Sequence, residues 1–282
     1  MSVLHHSAVT QKKGNEKMKK ILAALAAAAM IIGAAGCNKT EKKDWDYISD
    51  KGELVIGITL YEPMNYYDAN NVLTGFDTEF AQQVCAKLGI TPKFQVIEWD
   101  QKETELKSKT IDCIWNGLTV TEERKANMAF SDPYVDNRQV LIIKQDNADK
   151  YAQETDLANI KVAAESGSAG QSAIEENATL SKDEFIGCSA QKDVLMEVKA
   201  GTVDAGVIDY VMATASIKEG TDYSDLMIVD AVQLAPEQYA IGLRLEDTET
   251  LTKINDAVKQ LADEGKLQAL AEQYGLSDVL AY

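Results

Sequence analysis

Ile111–Tyr134 reads IDCIWNGLTVTEERKANMAFSDPY. Ile111-Asp-Cys-Ile-Trp is a short apolar run closed by Asn116-Gly117, which predicts a buried strand ending in a turn. Thr121, followed by Glu122 and Glu123, predicts a helix N-cap with an acidic first turn. A strand that runs into a helix start opens that helix at the carboxyl edge of the sheet, where α/β sheets bind ligands. Arg124 lies in that first turn. Its planar guanidinium fork suits a carboxylate. The plainer alternative is a surface arginine beside two glutamates.

The same alternation extends in both directions. Upstream, Leu54–Ile58 predicts a strand. Phe76–Leu88 predicts a helix, with apolar positions 76, 80, 84, 85 and 88 and a stop at Gly89, and Phe94–Trp99 the next strand. Repeated β-α units imply a largely parallel sheet. The pattern restarts near residue 160, with strands at Ile160–Ala164, Phe185–Cys188 and Val203–Ile208. Helices are predicted between them at Gly170–Asn177 and Gln191–Ala200. Gln139–Lys144 and Val229–Ala235 are apolar and extended, as expected of strands crossing between two lobes with a cleft between them. Asp247–Tyr274 predicts amphipathic helix interrupted at Gly265.

Two further motifs carry chemistry. Glu165-Ser-Gly-Ser-Ala-Gly-Gln-Ser follows a strand and opens a helix, so its free N–H groups suit an anion. It is too short for a dinucleotide loop and lacks the lysine of a P-loop. A plain Gly/Ser turn is the alternative. Asp209 ends the strand VDAGVID and can accept an ammonium group, or it caps the helix that follows. An arginine and exposed amides for a carboxylate, with an aspartate for an amine, are what a free α-amino acid requires.

Composition narrows the classes. The chain has 282 residues, a net charge of −17 and two histidines, His5 and His6. Met18-Lys-Lys followed by the uncharged run Ile21–Gly36 predicts an export signal, because the run is too short and Ala-rich for a permanent span. Cleavage before Cys37 removes five basic residues, one acid and both histidines, taking the charge from −17 to −21. The mature chain then has no histidine for a Ser-His-Asp or Cys-His site or for a His-based metal centre. Its acidity excludes nucleic-acid binding through phosphates. Cys85, Cys113 and Cys188 read as buried small residues, with a Cys85–Cys113 pair as the alternative.

Cys37 after Ala34-Ala-Gly resembles a bacterial lipobox, although Ala34 stands where leucine is usual. More broadly, GITLYEPM at Gly57, GFD at Gly75, WD at Trp99, NGLTVTEER at Asn116, FSDPY at Phe130, ESGS at Glu165 and VDAGVID at Val203 resemble the polar amino-acid family of extracellular solute-binding proteins. The resemblance covers nearly the whole mature chain. It implies a two-lobed α/β Venus flytrap of the type II periplasmic-binding-protein class. The expected segments are an extension and signal at 1–36, a lipid-anchored tether at 37–48, a first lobe at 49–138 and 236–282, and a second lobe at 139–235. It implies a lipid-anchored, monomeric binder on the cell surface or in the periplasm. That binder hands an amino acid to an ABC permease and its ATPase, with no cofactor and no catalysis. Residue by residue, Arg124 and Thr119 would hold the α-carboxylate with the Ser168 amide, and Asp209 and the Gly117 carbonyl the α-amine. Tyr61 and Trp99 would flank the side chain, and Asn116 and Glu165 would read it. Ala169 stands where glycine or threonine is common. Cationic and amide ligands are equally expected. A cyclohexadienyl dehydratase-like enzyme using Glu165, and a ligand-sensing lipoprotein, are the other readings.

Overall fold

A computed structural model describes residues 43–282 apart from 183, 230, 231 and 235. The leader and Cys37 lie outside the described residues. In chain order, α1 (Asp44–Lys51) leads into β1 (Glu53–Ile58). A small hairpin, β2 (Tyr66–Tyr67) and β3 (Leu73–Thr74), precedes α2 (Phe76–Leu88). The first pass ends with β4 (Thr91–Val96), α3 (Lys102–Lys107), β5 (Cys113–Ile114), α4 (Glu122–Lys125) and β6 (Ala129–Phe130). The long strand β7 (Val135–Lys144) carries the chain to β8 (Lys161–Glu165), α5 (Ala169–Glu176), β9 (Glu184–Cys188) and α6 (Gln191–Ala200). After β10 (Ala205–Asp209), α7 (Tyr210–Ser216) and β11 (Leu226–Val229), the chain returns through β12 (Pro236–Tyr239) and β13 (Gly242–Leu243) to α8 (Thr248–Asp263) and α9 (Lys266–Tyr274).

Besides the β2-β3 hairpin, the described residues form two larger sheets, one per lobe, ordered β4-β1-β5-β13-β6 and β11-β7-β10-β8-β9. They are mixed rather than largely parallel. β4, β1 and β5 run parallel, but β13 enters antiparallel to β5 and β6 because it comes back from the other lobe. In the second sheet β9, β8 and β10 are parallel and β7 opposes β10 and β11. The central strands are apolar on both faces, as buried parallel strands are. In β1 every residue after Glu53 is buried, and so is all of β10.

The strands between the lobes lie elsewhere than the apolar pattern suggests. Val135–Arg138 pairs antiparallel with Pro236–Tyr239. Gln139–Lys144 instead pairs with β10 and β11 inside the second sheet, and Val229 closes β11. The run Val140–Ile143 is apolar because it forms core, being wholly buried. Two other boundaries move. The strand expected through Trp99 stops at Val96, and Trp99 begins a 3-10 turn. Helix α1 starts inside the segment read as tether: Ile48 is buried, and the Asp44 carboxylate accepts from the Glu249 and Thr250 amides, capping α8.

Helix α2 follows its pattern, burying Phe76, Phe80, Val84 and Cys85 and ending on Gly89 in the left-handed region. Phe80 meets Trp115 edge-on at 5.1 Å between ring centroids, and Tyr134 at 5.5 Å. This aromatic group anchors the chain just before Asn116. Cys85, Cys113 and Cys188 are buried and free. No helix among the described residues is long and apolar enough to cross a membrane.

Candidate functional site

The segment after β5 is fixed from below. Asp77, in the first turn of α2, is buried and accepts from the Gly117 amide at 2.7 Å and the Tyr134 hydroxyl at 3.0 Å. Burial pushes its carboxyl up to about 7, against the pull of those bonds. Gly117 has φ +54°, and a Cβ there would lie 2.7 Å from the Tyr61 ring and 3.0 Å from that of Tyr239. Only glycine fits.

Thr121 caps α4, its hydroxyl accepting from the Arg124 amide at 3.1 Å. The Arg124 side chain is 7% exposed, so it is not a surface arginine beside two glutamates. Its guanidinium donates to the Thr119 carbonyl at 2.8 Å and, across the cleft, to the Gly167 carbonyl at 3.2 Å. Asp209 ends β10 at the cap position of α7 without a capping side-chain bond. Its carboxylate accepts instead from Asn137 at 2.7 Å, Gln139 at 2.6 Å and Gln191. Burial pushes its pKa upward while the amide bonds oppose the shift. Ser168 caps α5, accepting from Gln171, and its own amide donates to the Glu165 carbonyl at 3.2 Å.

These elements converge. Trp99, Asn116, Gly117, Thr119 and Arg124 from the first lobe, with Glu165, Ser168, Ala169, Gln191 and Asp209 from the second, line one cavity of about 10 Å³. That is roughly the room of one water, so the lobes are drawn together. A chamber of about 590 Å³ shares Thr119 and Ala169 with it and includes Gln139 and Glu237. It falls within the size of ordinary small-molecule sites, about 300–1,000 Å³.

Two expected residues are used differently. Tyr61 does not line the small cavity; its hydroxyl pairs with that of Tyr239 at 2.7 Å beneath Gly117. Asn116 lines the cavity, but its amide is committed within the protein. Its oxygen accepts from the Thr59 amide and the Asn65 side chain, and its nitrogen donates to the Thr59 hydroxyl.

Glu165 is 3% exposed and its Oε1 has no hydrogen-bond partner. Burial, then the charge of Asp209, pushes its carboxyl up to about 8, with Lys102 and Arg124 pulling the other way. Glu237 is likewise pushed up to about 7 by burial and Asp209, and its buried Oε2 is unpartnered.

Sequence reasoning passed over Lys102, Gln191, Glu237 and the pair Asn137 and Gln139. In the structure Val135–Gln139 alternates buried and exposed, which puts both amides on the inward face of β7, a placement its run of four polar residues does not announce.

The sequence matches the family described as bacterial extracellular solute-binding proteins, family 3, over residues 54–277. It is 26% identical to the L-cystine-binding protein TcyJ of Escherichia coli K12, over 93% of this chain and 97% of that one. It is 29% identical to the arginine-binding extracellular protein ArtP of Bacillus subtilis, over 91% and 98%. An ABC uptake transporter substrate-binding protein from Streptococcus pneumoniae, solved with bound histidine, superimposes with a TM-score of 0.76 at 30% identity. That match spans 84% of this chain and 98% of the other.

Proposed function

Since the chain belongs to the bacterial extracellular solute-binding proteins, family 3, we propose that it captures a free polar L-amino acid by closure of its two lobes. It then delivers that ligand to the permease of an ABC importer, held at the membrane by a lipid on Cys37.

One observation carries the reading. Two buried charges face the same cavity from opposite lobes, and each is held by neutral groups. Arg124 donates to backbone carbonyls. Asp209 accepts from three amide side chains. Among the described residues neither makes a direct ion pair with a charged side chain, so each keeps room for a partner of opposite sign. An α-carboxylate on Arg124 and an α-ammonium on Asp209 supply both at once, and a zwitterion touching both lobes favours the closed form by its differential affinity.

For the ligand's side chain, the Asn116 oxygen already accepts two bonds and its nitrogen donates one, which leaves a single N–H and weighs against two-point recognition of an amide there. The unpartnered oxygen of Glu165 supports a cationic group, whose charge would draw that carboxyl's raised pKa back down. The relatives named for arginine and cystine fit a ligand carrying a second ammonium or guanidinium. The test is calorimetry with L-arginine, L-cystine, L-histidine and L-glutamine. Tight binding of a cationic or diamino ligand and weak binding of glutamine is expected. Preference for glutamine overturns the side-chain reading, and no binding of any free amino acid overturns the whole.

A further inference from the structure

Lys102 opens α3 and is only 5% exposed. A lysine that deep needs its ammonium met by acceptors. Two carbonyls meet it. One is Trp99 in its own lobe, at 3.1 Å; the other is Gly167 in the second lobe, at 2.9 Å. The ammonium also stands 4.8 Å from the centroid of the Trp99 ring. Gly167 comes this close because it has no side chain. It has φ +69°, and a Cβ would lie 3.1 Å from Asp100 Cα. The same carbonyl accepts from Arg124. A single backbone oxygen of one lobe is therefore gripped by two cations of the other.

The two cations have different prospects. Arg124 faces the cavity, and a carboxylate there competes with Gly167 for its N–H groups. Lys102 is committed to carbonyls. We propose that Lys102 is a closure residue, a latch carried by the protein itself that holds the Gly167 carbonyl when the lobes meet and so sets how long a ligand stays. Part of the closed state's stability then comes from the chain rather than from the ligand. The proposal rests on the two-lobed closing reading and is indifferent to which amino acid is bound.

The test compares the wild type with Lys102→Met, which keeps the apolar stem and removes the donor. Lys102→Gln, which keeps a polar end without the charge, is a second variant should the methionine protein melt early. Small-angle scattering without added amino acid needs no knowledge of the ligand. A larger radius of gyration is expected for both variants than for the wild type. Stopped-flow fluorescence with L-arginine should then show dissociation about tenfold faster or more, the scale of one charge-assisted hydrogen bond. Association should stay within about threefold, because affinity differences between related complexes lie mostly in dissociation. Lys102→Arg should restore slow dissociation. A purely structural role would lower the melting temperature and leave scattering and the rate split unmoved. Unchanged scattering overturns the latch. If L-arginine fails to bind the wild type, the ligand reading fails while the scattering result still decides the latch.

Discussion

Arg124→Ala and Asp209→Ala each remove a buried charge that faces the cavity. Losing one partner of a buried, hydrogen-bonded charge pair costs about 2–5 kcal/mol, so amino-acid affinity should fall at least ~30-fold in either variant. Calorimetry against the wild type checks this, with circular dichroism to show that the fold persists. Unchanged affinity in both variants would remove the site from consideration. Glu165→Gln should cost about tenfold or more in affinity for L-arginine and little for L-glutamine. At this scale the sequence was informative for residues attached to strong local signals. Arg124 follows a cap and Asp209 ends an apolar strand. It was silent on Lys102 and Glu237, whose roles arise from groups far away in the chain. Lys102 meets a carbonyl 65 positions on, and Glu237 lies against Thr119 and Gln139.

Elements set the geometry that those residues use. The Asp77 carboxylate on α2 fixes the Gly117 amide, and the ring of Tyr61 fills the space where a side chain at 117 would go. Gly117→Ala is therefore expected to lose both stability and binding, read as a lower melting temperature and weakened calorimetric affinity. Leu261→Ala on α8 separates the two effects. Leu261 is buried in the first lobe's helical layer. Its truncation should cost about 3 kcal/mol, lowering the melting temperature by roughly 6–12 °C, with ligand affinity unchanged. Helix α2 was legible from its 3.6-residue period and Gly89 stop, because both are local. The strands between the lobes were not. Val140–Ile143 is as apolar as any crossing segment, and only its partners β10 and β11 reveal it as sheet interior.

Across the whole molecule, buried carboxyls govern how stability varies with pH. Burial raises Asp77 from an ordinary 3.8 to about 7, Glu165 from 4.5 to about 8 and Glu237 from 4.5 to about 7. Between the ordinary and the raised values the folded chain keeps protons that the unfolded chain has lost. Raising the pH through that window therefore favours unfolding. Carboxyls shifted the other way, such as Asp44 and Asp204, lose their contribution only in acid. The melting temperature should peak near pH 4, about where the ordinary carboxyl values lie, and fall toward pH 8, and Glu165→Gln should flatten the upper part of that fall. A melting temperature that climbs steadily from pH 5 to pH 8 would contradict these shifts. By itself, the sequence determined the α/β class, the two-lobed arrangement, the family and the motifs that carry an arginine and an aspartate. Those follow from periodicity, caps and short-range order along the chain. Only the tertiary structure decided that Asn116 is spent on Thr59 and Asn65, that three amides hold Asp209, and that Lys102 spans the cleft to Gly167. Hydrogen bonds between residues distant in the chain exist only once packing brings their donors and acceptors together, and no local pattern encodes which partner each will meet.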